Sequence, residues 1–178
     1  MFKKLSNYWI PSLVASVALL AGVTYFAVTD TNPFSSSTQA SNLSSTQIAA
    51  NELNITVYRT PTCGCCEGWV EHLQQQNFNV TDIVKPEAEI NTIRQKHNLP
   101  AALTSCHTAE INGYLVEGHV PVEDVKQLIA KQPNINGIAV PGMPVGTPGM
   151  EMGNRKESFD VIGFKNNNQM QVFNSYSY

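Results

Sequence analysis

Three of the four cysteines in this 178-residue chain occur within four positions, at Cys63, Cys65 and Cys66. The fourth, Cys106, lies farther along the chain, directly before His107. Core packing does not require neighbouring thiols, whereas thiolates are the ligands of soft metal ions and the nucleophiles of thiol–disulfide exchange. The cluster therefore indicates soft-metal binding, redox chemistry of the thiols, or both.

Copper matches the cysteine spacing better than zinc does. Structural zinc sites usually separate the cysteines of a ligand pair by two or more residues. Cys65 and Cys66 are adjacent, so they fit one tetrahedral zinc ion poorly. They suit bridging sulfurs in a cluster of Cu(I) ions, because Cu(I) is soft and accepts two or three sulfur ligands. We therefore expect Cu(I) as the bound metal, with zinc as the less favoured alternative.

The same cysteines permit an enzymatic interpretation, because Cys63 and Cys66 have the Cys-x-x-Cys spacing of thiol–disulfide oxidoreductases. Thioredoxin-type oxidoreductases usually place a cis-proline beside this motif. The nearest proline before Cys106 is Pro100, so a thiol stands where the proline is expected. A binding protein is therefore favoured, and a copper or disulfide oxidoreductase that uses Cys63 and Cys66 is the alternative.

Histidines and methionines are further candidates for contact with the metal, directly or through a ligand. His119 precedes a predicted helix, in a loop that is expected to border the cysteines. His107 follows Cys106 in a predicted strand, where neighbouring side chains point to opposite faces, so both reach one site only if the backbone bends. Met143 and Met150 end two copies of a Pro-Gly-Met sequence. Cu(I) accepts thioether ligands, although methionine also fills gaps in irregular packing.

The elements that must position these residues alternate between strands and helices. Alternating β-branched residues predict strands, and apolar residues three or four positions apart predict helices. Asn112-Gly113 predicts a tight hairpin turn, and Pro121 predicts the start of a helix that Pro133 ends. The predicted elements are strands at 53–58, 78–84, 103–111 and 114–116, and helices at 65–76, at 87–97 and from 121 onward.

This β-α-β-α-β-β-α order resembles the thioredoxin fold and predicts an α/β domain of that kind. The cysteine cluster lies where the first strand leads into the first helix. Unpaired N–H groups at a helix N-terminus favour thiolate over thiol. In such a fold Cys106 lies near the cluster, so the four sulfurs are expected to meet. Beyond the third helix, residues 137–152 predict a loop rich in Gly, Pro and Met, and 159–164 with 170–173 predict an extra hairpin.

The N-terminal part of the chain predicts export. Residues 1–28 contain Lys3 and Lys4 followed by an apolar run, which predicts a signal peptide or an N-terminal membrane anchor. Residues 29–51 are rich in Ser, Thr and Asn and predict a flexible linker, and 52–178 predict one domain. Because Lys3 and Lys4 should stay on the cytoplasmic side of the membrane, the domain is expected outside the cytoplasm. The net charge of −3 and the lack of a basic stripe argue against a nucleic-acid partner.

Four sequence motifs, which occur in the same order as in a known family, resemble that family. They lie at 58–66, 105–109, 113–121 and 137–144. They resemble a bacterial family of exported metal-binding proteins of unknown function that includes CopG-type copper-resistance proteins. The resemblance implies a thioredoxin-like fold, a periplasmic location and copper resistance. It also implies that Cys63, Cys65, Cys66 and Cys106 are the metal ligands. Periplasmic copper-handling proteins are the expected partners, and the membrane is contacted through the N-terminal segment if that segment is kept.

Overall fold

The computed structural model describes residues 53–178. The predicted signal or anchor at 1–28 and the predicted linker at 29–51 lie outside the described residues. Within 53–178, none of the helices has the length and apolar character needed to cross a membrane.

The described residues form a mixed α/β fold with three α-helices and a seven-stranded sheet. The strands are β1 (Asn54–Arg59), β2 (Asn79–Val84), β3 (His107–Ile111), β4 (Tyr114–Glu117), β5 (Gly137–Ala139), β6 (Phe159–Phe164) and β7 (Met170–Tyr176). The helices are α1 (Gly64–Gln75), α2 (Glu87–Lys96) and α3 (Val122–Lys131). The predicted α/β class and the predicted order of elements through α3 are therefore confirmed, while the thioredoxin-like description stays a prediction.

The strand order in the sheet is β2-β1-β3-β4-β5-β6-β7. β1 pairs in parallel with β2, β4 pairs in parallel with β5, and the other neighbours are antiparallel. Asn112 and Gly113 both have positive φ in the turn between β3 and β4, as a type I′ hairpin requires. β1 and β3 are direct neighbours, so the segments that carry the cysteine cluster and Cys106 lie at the same end of the sheet.

The third strand begins later than the sequence indicates. Residues 103–106 do not extend β3, because Ala101–Leu103 form a short 3₁₀ helix and the strand begins at His107. The backbone groups of Ser105 are bonded by the side chains of Glu117 and Arg94 instead of by a neighbouring strand. Cys106 therefore lies in a bend, free of the alternation that a strand imposes.

The prediction of a loop at 137–152 is wrong for its first three residues. Gly137–Ala139 form β5, which joins β4 to the closing hairpin of β6 and β7. A strand this short shows no alternation, and the Gly and Pro residues around it are typical of loops. The hairpin itself is confirmed, and its second strand continues to Tyr176.

The core fixes α1 against the sheet and against the loop before α3. Trp69 and Leu73 of α1 are fully buried beside Val57 and Leu128 in one apolar cluster, and burial of each such side chain contributes about 1.5–3 kcal/mol. The Trp69 Nε1–H group also donates a hydrogen bond of 2.9 Å to the Val120 carbonyl. The position of the cysteine helix relative to His119 is thus set by packing and by a directional bond.

Candidate metal centre

Three of the cysteines are placed by the start of α1. The Thr60-Pro61-Thr62 sequence separates β1 from the helix, Cys63 is the N-cap residue, and Cys65 and Cys66 lie in the first turn. A disulfide joins Cys63 and Cys66, whose Cα atoms are 5.3 Å apart. Cys66 is fully buried, whereas Cys63 and Cys65 are partly exposed and Cys65 is a free thiol.

Cys106 completes a cluster of four sulfur atoms. The Sγ atoms of Cys63, Cys65, Cys66 and Cys106 all lie within 4.8 Å of one another. Cys63 Sγ is 3.6 Å from Cys65 Sγ, and Cys66 Sγ is 3.7 Å from the Cys106 carbonyl oxygen. The structure thus brings together every cysteine of the chain, and the assignment of these sulfurs as metal ligands stays a prediction.

His119 presents a lone pair to the fourth sulfur. Its Nδ1 lies 2.8 Å from the Pro148 carbonyl oxygen, which can only accept a hydrogen bond, so Nδ1 carries the proton. The other nitrogen, Nε2, lies 3.1 Å from Cys106 Sγ and is left with its lone pair. A bond from a ligand histidine to a backbone carbonyl is one of the usual ways in which a protein fixes the tautomer of that ligand.

His107 reaches the same sulfur because the backbone bends at Cys106. Its Nδ1 lies 3.4 Å from Cys106 Sγ, and its fully buried ring packs between Trp69, at 4.5 Å between ring centroids, and His119, at 4.9 Å. Cys106, His107 and His119 form a second group of ligand atoms within 4.8 Å of one another. His107 Nε2 has no hydrogen-bond partner among the described residues.

Burial sets the protonation of this group. It raises the pKa of Cys106 to about 11, and the nearby Cys65 adds to the rise. It also lowers the pKa of His107 and of His119. At neutral pH the imidazoles are therefore neutral and able to donate lone pairs, whereas Cys106 is a thiol that must lose its proton before it binds a metal.

The Gly-, Pro- and Met-rich loop after β5 packs beside the cluster. Each copy of its Pro-Gly-Met sequence offers one backbone carbonyl: Gly142 O accepts a 2.7 Å hydrogen bond from Ser105 Oγ, and Pro148 O accepts the bond from His119. The shared role of the repeat in the described structure is thus to hold the residues around Cys106. Met143 is 51% exposed and Met150 is partly buried, and ligation by their sulfurs stays a prediction.

A buried ion pair, which no sequence pattern predicted, lies behind Cys106. Arg94 of α2 and Glu117 of β4 pair through several hydrogen bonds, the shortest of them 3.0 Å, and their side chains are 4% and 0% exposed. Burial raises the pKa of Glu117, and the positive charge of Arg94 opposes that rise. Arg94 occurs in an otherwise ordinary polar helix, so only the three-dimensional structure reveals its partner.

The chain is similar to two solved structures and to one family model. Two solved structures of a copper resistance protein CopG, Form 2 and Form 1, match with TM-scores of 0.65 and 0.66 and sequence identities of 42% and 41%. The matches cover 70% and 71% of this chain and 98% and 99% of the CopG chains. The family model described as "Protein of unknown function, DUF411" matches residues 103–150, which include Cys106 and His119. No curated protein matches the chain in sequence.

Proposed function

The chain belongs to the DUF411 family of CopG-type copper resistance proteins, and on this basis we propose that it binds Cu(I) outside the cytoplasm. The thiolates of Cys63, Cys65, Cys66 and Cys106 are the ligands, with His119, His107, Met143 and Met150 as candidates for additional contact. The observation that carries the proposal is the approach of all four sulfurs to within 4.8 Å of one another.

The spacing of the sulfurs suits metal binding once the disulfide between Cys63 and Cys66 is reduced and their two sulfurs move apart. Two sulfurs on one ion, each bonded at about 2.3 Å, lie no more than about 4.6 Å apart. The largest distance between two of the four sulfurs is at most 4.8 Å. Small rotations of the side chains are enough to bring it within the limit of about 4.6 Å. Cys65 and Cys66 are neighbours in the helix with their sulfurs close together, so the two thiolates could both hold Cu(I) ions in one cluster. Soft sulfur donors favour Cu(I) over harder ions.

The disulfide between Cys63 and Cys66 defines two states of the site. In the oxidised state two sulfurs are held in the bond, and Cys65 and Cys106 are the remaining thiols. Exchange with an external dithiol, which is itself oxidised to a disulfide, would return Cys63 and Cys66 to the thiol state and complete the four-sulfur ligand set. Cu(I) therefore loads the reduced protein. The location of Cys63 and Cys66 at the N-terminus of α1 stabilises the thiolates that reduction produces.

The same disulfide favours a second candidate function, thiol or copper oxidoreduction by Cys63 and Cys66. Cys63 is the accessible partner of the pair and Cys66 is buried, which suits attack on Cys63 by an external thiolate. A periplasmic location belongs to the proposal, and the disulfide is compatible with it, because disulfides persist in oxidising compartments. Partner proteins that deliver or receive copper, and attachment to the membrane through residues 1–28, belong to the same proposal.

Serine variants of Cys65 and Cys106 separate the two functions. If the protein binds Cu(I) through four sulfurs, the reduced Cys65→Ser and Cys106→Ser proteins should lose most of the bound Cu(I). If it is an oxidoreductase that uses Cys63 and Cys66, both variants should keep most of its disulfide reductase activity, because that pair is intact. Thr62→Ser, an exposed change beside the cluster, is the matched control and should keep the copper of the wild type. Copper content equal to the wild type in both cysteine variants would exclude the four-thiolate site.

A further inference from the structure

Ser105, the residue directly before Cys106, is held through its backbone by the side chains of Arg94 and Glu117. The Ser105 N–H group donates to Glu117 Oε1 at 2.7 Å, and Arg94 Nη2 donates to the Ser105 carbonyl at 2.9 Å. The Ser105 hydroxyl donates to the Gly142 carbonyl. Because β3 begins only at His107, these bonds take the place of strand pairing in this segment.

Every side-chain nitrogen of Arg94 and both carboxylate oxygens of Glu117 make hydrogen bonds. Arg94 Nε donates to both oxygens of Glu117, at 3.0 and 3.2 Å, and Arg94 Nη1 donates to Glu87 and to Asn91. Buried ion pairs often stabilise a fold no better than apolar side chains of similar size, because removal of two charges from water is costly. Stability alone therefore does not account for this pair. What apolar side chains cannot supply is a donor and an acceptor for Ser105.

We propose that Arg94 and Glu117 are positioning residues for Cys106. By fixing the N–H and C=O groups of Ser105, the pair keeps Cys106 Sγ within reach of the sulfurs on α1. Without the pair, the two polar groups of Ser105 turn toward water and carry Cys106 away from the cluster. The inference concerns geometry and is independent of the metal; only its copper measurement rests on the proposed function.

The test uses three variants of the full chain. Arg94→Met combined with Glu117→Leu replaces the ion pair by apolar side chains and removes both contacts with Ser105. Arg94→Lys keeps the charge, but its single ammonium group lacks the planar fork that reaches Glu117 and Ser105 together. Lys96→Met is the matched control, because Lys96 also lies on α2 and pairs with a strand carboxylate, Glu110, without contact to Ser105.

The metal-free measurement is the rate at which Cys65 and Cys106 form a disulfide in the oxidised protein. Diamide, the oxidant, takes up two hydrogen atoms as the two thiols become one disulfide, and peptide masses identify the bond. We expect the rate to fall about tenfold or more in the double variant, because small displacements of reacting atoms slow a reaction strongly. It should fall less in Arg94→Lys and remain at the wild-type value in Lys96→Met.

The copper measurement is the rate of Cu(I) release to a chelator from the reduced, loaded protein. We expect release about tenfold faster in the double variant, as for other losses of groups that orient metal ligands. Wild-type bridging rates in the folded double variant, or equal slowing in Lys96→Met, would overturn the proposal. If the double variant does not fold, an unchanged bridging rate in Arg94→Lys overturns it instead. A wild type that binds no copper refutes the proposed function, while the bridging rates still decide the positioning role.

Discussion

Replacement of Gly149 by alanine tests whether the loop after β5 must lie directly on the cysteine helix. Gly149 has φ +81°, and a Cβ atom there would lie 2.6 Å from the Cys65 carbonyl oxygen and 2.7 Å from the Trp69 nitrogen. Both are backbone atoms of α1, which cannot move aside as a flexible side chain can. The substitution therefore pushes the loop and the helix apart next to Cys65.

Two free-energy costs of Gly149→Ala must be compared with the two hydrogen bonds that hold the loop in place. The left-handed conformation costs a non-glycine residue about 1–2 kcal/mol, and overpacking against a rigid neighbour adds about 1–3 kcal/mol. The hydrogen bonds that tie the loop to Ser105 and His119 contribute about 0.5–1.5 kcal/mol each. The cost of about 2–5 kcal/mol is thus comparable to or larger than the roughly 1–3 kcal/mol that the two bonds provide, so we expect the loop to leave α1 before the domain unfolds.

Gly142→Ala is the matched control for Gly149→Ala. Gly142 also has a positive φ, of +71°, but a Cβ atom there has no neighbour within 4 Å. It should incur only the conformational cost, about 1–2 kcal/mol. Exchange of the His119 Nδ1 proton, which is donated to the Pro148 carbonyl at 2.8 Å, reports detachment of the loop, because this bond joins the loop to a residue outside it.

We expect Gly149→Ala to lose that protection, to become sensitive to proteases within 141–152 and to release Cu(I) faster, while Gly142→Ala keeps all three properties. Equal behaviour of the two variants would refute the reasoning, because it would show that contact with α1 does not hold the loop.

Three further predictions concern the histidines and Cys106. His119→Ala removes the nitrogen beside Cys106 and the bond to Pro148, so competition with a Cu(I) chelator should show an affinity about tenfold lower; an unchanged affinity removes His119 from the site. Alkylation of Cys106 in the oxidised protein should accelerate with pH toward a midpoint near the raised pKa of about 11, and Cys65→Ser should lower this midpoint; a midpoint at the ordinary thiol value of about 8.5 contradicts the burial argument. Because the pKa of His107 is lowered in the native state, this histidine binds a proton in the unfolded chain at pH values where it stays neutral in the native protein. The free energy of unfolding of the metal-free protein should then be fully present above pH about 6.5 and fall at lower pH. His107→Phe should weaken this dependence, and equal denaturation midpoints at pH 5 and 7 in the wild type would speak against it.

Local signals in the sequence were sufficient for most of the framework. The Asn112-Gly113 turn and the helix start at Pro121 each depend on neighbouring residues alone, and the structure confirms them. The convergence of Cys106 on the cluster followed from the order of elements, because β1 and β3 are neighbours in the sheet. These features needed no knowledge of side-chain contacts.

The remaining features depend on contacts between residues far apart in the chain. β5 exists because β4 and β6 lie on either side of it, although its own three residues show no strand pattern. The bend at Cys106 exists because Arg94 and Glu117 bond to Ser105, and this bend allows Cys106 and His107 to reach one site. Neither partner of the pair is marked by local sequence, so β3 was predicted to begin too early.

Metal analysis of the reduced, full-length protein tests the central claim most directly. Protein isolated without oxygen from copper-supplied cells should contain more than one copper ion per chain, and all four cysteines should resist alkylation until the metal is removed. Protein that contains zinc alone, or copper-loaded protein in which Cys65 and Cys106 react freely, would contradict the four-sulfur copper site.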